Sequence, residues 1–186
     1  MDQPILFVFT GTSGSGRKTI AHVIGERFNL AHVISCTTRQ PRHSVKSVQQ
    51  DYHYLNHEAF EEEASNGQFL QIVTIDRERY GVRERDLDVA LSGDQHVYLI
   101  LNREGAAEFK RRYGDRVVRL FIYVDKQTVR ERLESKGMAY DVLQHYLDHY
   151  TEEVTYRKEC EHVVQNIELK KTLAELSEIV GGYVGQ

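Results

Sequence analysis

The sequence is poor in the residues that mark several large classes of protein. Its 186 residues include only two cysteines, Cys36 and Cys160, which stand far apart. We expect both thiols to be reduced, and either buried or without a role, in a reducing compartment. Two cysteines so far apart argue against a fold held together by disulfides. The nine histidines are scattered and make no metal-binding spacing with these cysteines. Cysteine and histidine usage therefore gives no sign of a disulfide framework or a metal centre.

Long apolar runs and an excess of basic charge are missing as well. No stretch nears the length of a membrane span, and the first residues lack the charged lead and cleavage site of a secretory signal. The formal net charge is −4, whereas a protein that binds long nucleic acids usually presents a basic face. We therefore expect a cytoplasmic protein that contacts neither a membrane nor long nucleic acid.

The chain does alternate apolar, strand-like runs with segments of helical period almost to its end. The runs at 5–9 and 97–101 are continuously apolar, and 117–124 is apolar apart from Arg119, as expected for strands buried on both faces. This alternation over 186 residues predicts one α/β domain with a parallel sheet. The segment 40–82 departs from it with a polar loop and short alternating strands, which indicates a small β-rich lobe. The strongly polar segment 139–160 predicts one long helix.

The segment 7–20 joins an apolar strand to an amphipathic helix through a glycine-rich turn and reads FVFTGTSGSGRKTI. Gly11, Gly14 and Gly16 lie in that turn. Only a residue without a Cβ lets successive backbone N–H groups curl inward and approach a phosphate closely, and the following helix adds its positive N-terminal end. This layout is typical of a phosphate-binding loop, whose usual pattern is G-x-x-x-x-G-K-[ST].

The loop departs from that pattern at its last two positions. Arg17 stands in place of the usual lysine and Lys18 in place of the usual serine or threonine, while Thr19 comes one position late. A guanidinium can still neutralise a phosphate, but an ammonium has no lone pair with which to ligate Mg²⁺. Either the loop is one residue longer and Lys18 and Thr19 do the standard work, or the site handles ATP with Mg²⁺ poorly.

A second candidate phosphate site follows the next predicted strand. Residues 35–42 read SCTTRQPR, with three hydroxyls and two guanidiniums within eight positions. Arg39 and Arg42 can clamp one dianion, because guanidiniums match phosphate oxygens bidentately, and Tyr52 and Tyr80 can add hydroxyl donors. The alternative is a solvated polar loop with an exposed arginine pair. The glycine loop favours an anion pocket, at the sheet edge where α/β folds bind ligands.

The order of these motifs resembles the guanylate kinase family over nearly the whole chain. It runs from the glycine loop through S-x-T-T-R-x-P-R, Asp51-Tyr52, a Phe69-Leu70 strand and Tyr80-Gly81 to a lid helix with Arg132-Leu133. The resemblance implies a P-loop nucleoside-monophosphate-kinase fold, in which a parallel core sheet carries a small β-rich lobe for the monophosphate and a helical lid. It implies a core of 1–34, 83–126 and 161–186, a lobe of about 35–82 and a lid of about 127–160.

The resemblance also implies a reaction and the residues that perform it. The reaction is in-line transfer of the γ-phosphoryl group of ATP to GMP, with Mg²⁺ accompanying ATP and no covalent intermediate. ATP would be held by the loop residues Gly11, Thr12, Ser13, Gly14, Ser15, Gly16, Arg17, Lys18 and Thr19. GMP would be held at its phosphate by Ser35, Arg39, Arg42, Tyr52 and Tyr80, and at its base by Gln71 and Asn102. The expected catalytic cations are Arg17, Lys18 and Arg132, and the candidate Mg²⁺ ligand is Thr19.

The sequence departs from the family's pattern where the chemistry takes place. Besides the altered loop, Ile100 and Asn102 stand where the family has aspartates, and Gln71 stands where its guanine-reading carboxylate follows Phe-Leu. A carboxylate accepts from both N1–H and N2–H of guanine, whereas an amide offers one acceptor oxygen and two donors. The arginine pair of the phosphate clamp is intact.

Two hypotheses of different class follow from these departures. The first is a divergent ATP-dependent nucleoside monophosphate kinase, with GMP as the first acceptor to test and a weakened or altered base preference. The second is a degenerate guanylate-kinase-like module that binds a nucleotide or a phosphorylated peptide without transferring phosphate. The cations Arg17, Lys18 and Arg132 and the Thr19 hydroxyl favour the enzyme. The replacement of the usual Lys-Ser/Thr pair by Arg17-Lys18 favours the binding module.

Overall fold

The computed structural model describes residues 3–41 and 51–185 of the chain. Its strands are β1 (Leu6–Gly11), β2 (Ala31–His32), β3 (Cys36–Thr37), β4 (His53–Tyr54), β5 (Phe69–Ile75), β6 (Glu78–Arg83), β7 (Val97–Ile100), β8 (Val117–Tyr123) and β9 (His162–Gln165). Its α-helices are α1 (Arg17–Arg27), α2 (His57–Ser65), α3 (Glu84–Leu91), α4 (Arg103–Tyr113), α5 (Lys126–Ser135), α6 (Tyr140–Thr155) and α7 (Leu169–Val184). Across these two ranges, no helix combines the length and the apolar character that crossing a membrane requires.

The central sheet has five strands in the order β2–β7–β1–β8–β9, and every neighbouring pair is parallel. This confirms the predicted α/β fold with a parallel core sheet. All six residues of β1 are buried, as its continuous apolar run predicts. Because β1 leads straight into the glycine turn, that turn lies at the carboxyl edge of the sheet, where parallel α/β sheets bind ligands.

Two apolar clusters cover the two faces of this sheet. Leu6 and Val8 of β1 belong to the cluster that buried side chains of α3 and α4 complete. Phe7, which points to the opposite face, belongs to the cluster completed by buried side chains of α1 and α7. The fold is therefore a three-layer sandwich that holds β1 and the loop after it rigidly from both sides.

A second, four-stranded sheet has the order β4–β3–β6–β5. Strands β5 and β6 form an antiparallel hairpin whose turn residues, Asp76 and Arg77, have φ angles of 50° and 69°. The sequence patterns predict β5 but miss β6, since its run ERYGVR is mostly polar and becomes a strand only by pairing with β5 and β3. The sheet lies within the segment predicted as the lobe, 35–82, apart from Arg83, which ends β6. The domain boundaries remain a prediction, and 42–50 lie outside the described residues.

Helices α5 and α6 form the segment predicted as the lid and pack through a small apolar cluster of their own. The prediction of one helix over 139–160 is wrong at its C-terminal end, because α6 stops at Thr155 and a 3₁₀ turn, Tyr156–Glu159, follows. The side chain of Tyr156 is buried, and its hydroxyl accepts a hydrogen bond of 2.9 Å from Nη1 of Arg119. That contact ties the end of the segment to β8 of the central sheet.

Candidate active site

The glycine loop between β1 and α1 has a backbone that only glycine accommodates. Gly11 has a φ of +143°, and a Cβ added there would lie 1.8 Å from the carbonyl oxygen of Ile122. Gly14 and Gly16 also have positive φ angles, of +72° and +84°. Gly16 caps α1, so the helix begins at Arg17 directly after the last glycine. The backbone thus ends the loop at the usual place and gives Arg17 the position of the lysine in the pattern.

The Arg17 side chain folds back over the loop that precedes it. Its Nη1 donates a 2.7 Å hydrogen bond to the carbonyl oxygen of Gly11. The guanidinium therefore spans the ring of backbone that a phosphate would enter, and its other N–H groups remain available for an anion. This geometry favours Arg17, and not Lys18, as the cation that stands in for the loop lysine.

The Lys18 side chain turns away from the loop towards the second sheet. Its Nζ lies 3.1 Å from Oδ2 of Asp51 and 4.6 Å from the centre of the Tyr52 ring. Burial lowers the pKa of Lys18, and the Asp51 carboxylate offsets part of that effect. The ammonium therefore lies between the phosphate loop and the residues predicted to hold the acceptor.

The described members of the predicted acceptor clamp lie together. Ser35 is buried, and the Arg39 guanidinium lies 5.5 Å from the centre of the Tyr52 ring. The Tyr52 and Tyr80 rings stand 5.9 Å apart, edge to face. Burial raises the pKa of Tyr80, against the opposing effect of hydrogen bonds with Thr37 and Arg39, so its hydroxyl stays a donor at neutral pH. Arg42, the second predicted guanidinium, lies outside the described residues.

The two amides predicted to face the base meet beside the start of α4. Asn102 caps this helix by accepting a 2.9 Å hydrogen bond from the Gly105 N–H. A Cβ at Gly105 would lie 3.1 Å from Oδ1 of Asn102 and 3.3 Å from Nε2 of Gln71, so the missing side chain leaves room for both amides. Oε1 of Gln71 and Nδ2 of Asn102 are buried and have no hydrogen-bond partner among the described residues. The pair presents one free acceptor and one free donor.

Helix α6 contacts the cleft at three places that the sequence analysis does not identify. Glu153 accepts two hydrogen bonds of 2.9 Å, from the backbone N–H and the hydroxyl of Ser13 in the glycine loop. Glu152 pairs with Arg103 at 3.2 Å, and His145 lies 2.9 Å from the Asp76 carboxylate on the β5–β6 hairpin. Glu152 and Glu153 follow His145 by seven and eight residues, so all three lie on one face of the helix. This spacing is the feature of the sequence from which their common orientation could have been predicted.

Arg132, one of the predicted catalytic cations, contacts backbone carbonyl groups beside the glycine loop. Its Nη2 donates a 2.8 Å hydrogen bond to the Asn166 carbonyl, and its Nη1 is 3.4 Å from the Ser15 carbonyl. Nδ2 of Asn166 also donates to the Ser15 carbonyl, at 2.8 Å. In this conformation Arg132 therefore braces the glycine loop through its backbone.

The predicted site residues open onto one cleft of about 1300 Å³, apart from Arg132 and from Arg42, which lies outside the described residues. The glycine loop lines this cleft, and so do the clamp residues Arg39, Tyr52 and Tyr80. The amides Gln71 and Asn102 also line it, and so does the face of α6 that carries His145, Glu152 and Glu153. The cleft thus joins the two predicted phosphate sites, and the cations Arg17, Lys18 and Arg39 are distributed between them.

The residues at the loop do not fit a loop-held Mg²⁺ ion. The position of the usual hydroxyl ligand carries Lys18, whose ammonium offers no lone pair. Thr19 lines the cleft but lies exposed on the next position of α1, and its predicted role as a ligand remains a prediction. Among the residues of 3–41 and 51–185, no group of three or more acidic, histidine or cysteine side chains is placed to hold a metal ion.

Comparison with known proteins identifies the family. The family model for guanylate kinase matches residues 3–183 of this chain. A guanylate kinase of Fusobacterium nucleatum is 25% identical over 176 residues, which cover 94% of this chain and 95% of that protein. A guanylate kinase of Bacteroides thetaiotaomicron is 28% identical over 185 residues, which cover 97% of this chain and 90% of the relative.

Solved structures agree at the level of the fold. The crystal structure of guanylate kinase from Anaplasma phagocytophilum aligns with a TM-score of 0.80 at 21% identity, covering all of this chain and 89% of that one. This likeness confirms the predicted P-loop nucleoside-monophosphate-kinase fold. Since the family model spans nearly the whole chain and the motif order agrees with it, the chain belongs to the guanylate kinase family of phosphotransferases.

Proposed function

We propose that this protein transfers the γ-phosphoryl group of ATP to a nucleoside monophosphate, with GMP as the first acceptor to test. The observation that carries the proposal is the single cleft onto which the glycine loop and the Arg39 clamp both open. Lys18 lies between them, with its ammonium 4.6 Å from the ring of the clamp residue Tyr52. Two phosphate sites that share one cleft and one intervening cation are the arrangement that in-line phosphoryl transfer needs.

The chain's own groups supply positioning and positive charge. The loop N–H groups and Arg17 would hold the donor phosphates, while Arg39, Tyr52 and Tyr80 would hold the acceptor phosphate in line with them. Lys18 would neutralise charge on the oxygens between the two nucleotides. Closure of α6 over the cleft would exclude water and so suppress hydrolysis of ATP. Mg²⁺, which the family implies as the companion of ATP, finds no ordinary loop ligand here, and no step depends on it.

The base site supports a relaxed choice of acceptor. In the usual guanine site a carboxylate accepts two N–H groups, whereas Gln71 offers one unpartnered acceptor and Asn102 one unpartnered donor. That neutral pair complements the N1–H and O6 edge that GMP and IMP share, and it leaves the 2-amino group of guanine without a dedicated acceptor. We therefore propose that GMP and IMP bind with similar affinity.

One observation favours the second hypothesis, a module that binds a phosphorylated ligand without transfer. Arg132 is bound to backbone carbonyls, so this conformation commits its guanidinium to the loop. The loss of a transition-state arginine can lower phosphoryl transfer by about a thousandfold or more. The hypothesis needs Arg132 to keep this position when nucleotides bind.

A coupled assay for ADP release, with ATP, Mg²⁺ and each of GMP, dGMP, IMP, AMP, UMP and CMP, tests the proposal. Binding of the same monophosphates is measured by calorimetry in parallel. We expect turnover with GMP that is lost in Arg39→Ala and kept in Arg111→Ala, which removes an exposed arginine of α4. Binding that depends on Arg39, with no turnover on any acceptor, would overturn the kinase and leave the binding module.

A further inference from the structure

Lys18 occupies a position of the phosphate loop where its chemistry is unusual. It is the second residue of α1, directly after the residue that takes the lysine position of the pattern. The pattern places a serine or threonine there because its hydroxyl ligates the Mg²⁺ that accompanies the nucleotide. This chain therefore presents an ammonium group in place of a hydroxyl ligand for a metal ion.

The Lys18 ammonium is fixed in space by groups on the opposite side of the cleft. Asp51 accepts one of its hydrogen bonds at 3.1 Å, and the Tyr52 ring lies beneath it at 4.6 Å. Nε2 of His22 lies 3.7 Å from the Asp51 carboxylate, beyond hydrogen-bond distance. An ammonium has three donors, and Asp51 uses one of them. Lys18 can thus bind phosphate oxygens without giving up this contact.

The surrounding charges complete the contrast with a metal site. Asp51, the carboxylate beside Lys18, is already paired with that ammonium. Glu153 accepts hydrogen bonds from the N–H and the hydroxyl of Ser13 in the loop. Asn102, at a place where the family has an aspartate, uses its oxygen to cap α4. The nearby acceptors are therefore committed to protein groups, whereas Arg17 and Lys18 each keep donors for phosphate oxygens.

We propose that the Lys18 ammonium takes the place of a loop-held divalent cation, so that this loop binds nucleoside di- and triphosphates without needing Mg²⁺. The proposal rests on the assignment of the loop to ATP but not on phosphoryl transfer. Lys18 acts here by binding the phosphates, and its tethering to Asp51 keeps it between donor and acceptor.

Calorimetric titration of the full chain with ADP and with a non-hydrolysable ATP analogue tests this, once in excess Mg²⁺ and once in excess EDTA. For the natural protein we expect the two dissociation constants to agree within about threefold, since the fixed cation is present in both conditions. Lys18→Ser restores the hydroxyl and frees the Asp51 carboxylate. That variant should bind about tenfold or more weakly in EDTA than in Mg²⁺.

Two further variants separate the charge from the fold. Lys170→Ser makes the same substitution at an exposed position of α7 and should behave as the natural protein does. Lys18→Met removes the charge without adding a ligand, and should weaken binding about tenfold in both conditions. Thermal unfolding of each variant establishes that it is folded.

The proposal is overturned if the natural protein loses about tenfold or more affinity in EDTA, or if Lys18→Ser remains indifferent to the metal. Absence of any nucleotide binding would overturn it together with the proposed kinase. Metal-independent binding without transfer would refute the kinase alone and leave Lys18 as the cation of a binding site.

Discussion

The carboxylate of Glu153 occupies donors of the glycine loop that a phosphate would use, and this makes a quantitative prediction. It accepts hydrogen bonds of 2.9 Å from both the N–H and the hydroxyl of Ser13. A nucleotide phosphate that enters the loop must therefore displace this carboxylate or lie beside it. We expect Glu153→Gln, which keeps the shape but removes the charge, to bind ATP more tightly than the natural protein.

The magnitude follows from the geometry. Two like charges about 4 Å apart repel by about 4 kcal/mol at an effective dielectric constant of about 20. Glu153 is half-buried at the mouth of the cleft, so solvent screening reduces this to roughly 1–2 kcal/mol. That free energy corresponds to a gain of about five- to thirtyfold in affinity for a non-hydrolysable ATP analogue. Affinity for the monophosphate should change by less than about twofold, because Glu153 contacts the glycine loop, whereas the predicted clamp for that phosphate is formed by Arg39, Tyr52 and Tyr80.

Calorimetry with both ligands measures the two effects in the same preparation. Glu152→Gln is the matched control, since it removes the neighbouring charge on α6 but breaks only the contact with Arg103. It should leave ATP affinity within about twofold of the natural value. If Glu153→Gln bound the ATP analogue no more tightly than Glu152→Gln, the carboxylate would not compete with phosphate, and its contact with Ser13 would be structural.

Three further predictions concern the base site, the ion pair between Arg119 and Glu161, and the glycine loop. Gln71→Glu should raise the preference for GMP over IMP by about tenfold, measured by competition binding, because the new carboxylate accepts from the 2-amino group. Burial would raise the pKa of Glu161, but hydrogen bonds from Arg119 outweigh this effect and hold the pKa at about 2. The contribution of the ionised Glu161 to folding stability is therefore complete above the ordinary pKa of 4.5 and is lost as the pH falls towards 2. Glu161→Gln should therefore lower the free energy of unfolding by about 2–3 kcal/mol at pH 7 and flatten its loss below pH 5, as followed by urea denaturation. Gly11→Ala should lower the free energy of unfolding by about 3 kcal/mol or more, seen as a lower thermal midpoint, whereas Gly182→Ala, with open space around it, should leave the midpoint unchanged.

The core of the fold was predictable because its signals are local. The apolar run of β1 and the glycines after it specify a buried strand and a phosphate loop within about fifteen consecutive residues. The strand β6 was not predictable in the same way. Its polar run has no alternation of its own, and it is a strand because β5 and β3 pair with its two edges.

The clamp residues and the contacts of α6 show the same division at the site. Arg39, Tyr52 and Tyr80 are recognisable from motif order, and in the structure the Tyr52 ring lies near both Arg39 and Tyr80. The contact between Ser13 and Glu153 joins residues 140 positions apart, and the one between Lys18 and Asp51 joins residues 33 apart. Sequence patterns show which residue types are present, whereas partner choice at such separations is decided by how the elements pack.

Helix α6 is anchored near its N-terminal half by His145 at the hairpin and near its C-terminal end by Glu152 and Glu153 at α4 and the glycine loop. Because the helix is rigid between these contacts, α6 cannot move away from the glycine loop without also disturbing the contact of His145 with the hairpin. If both nucleotides bind in this cleft as proposed, we expect one movement of α6 to affect the entry and exit of each. We expect the movement of α6 to limit the turnover rate. A substitution that weakens the contact between His145 and Asp76 should then increase the rate at which the nucleotide dissociates from the glycine loop.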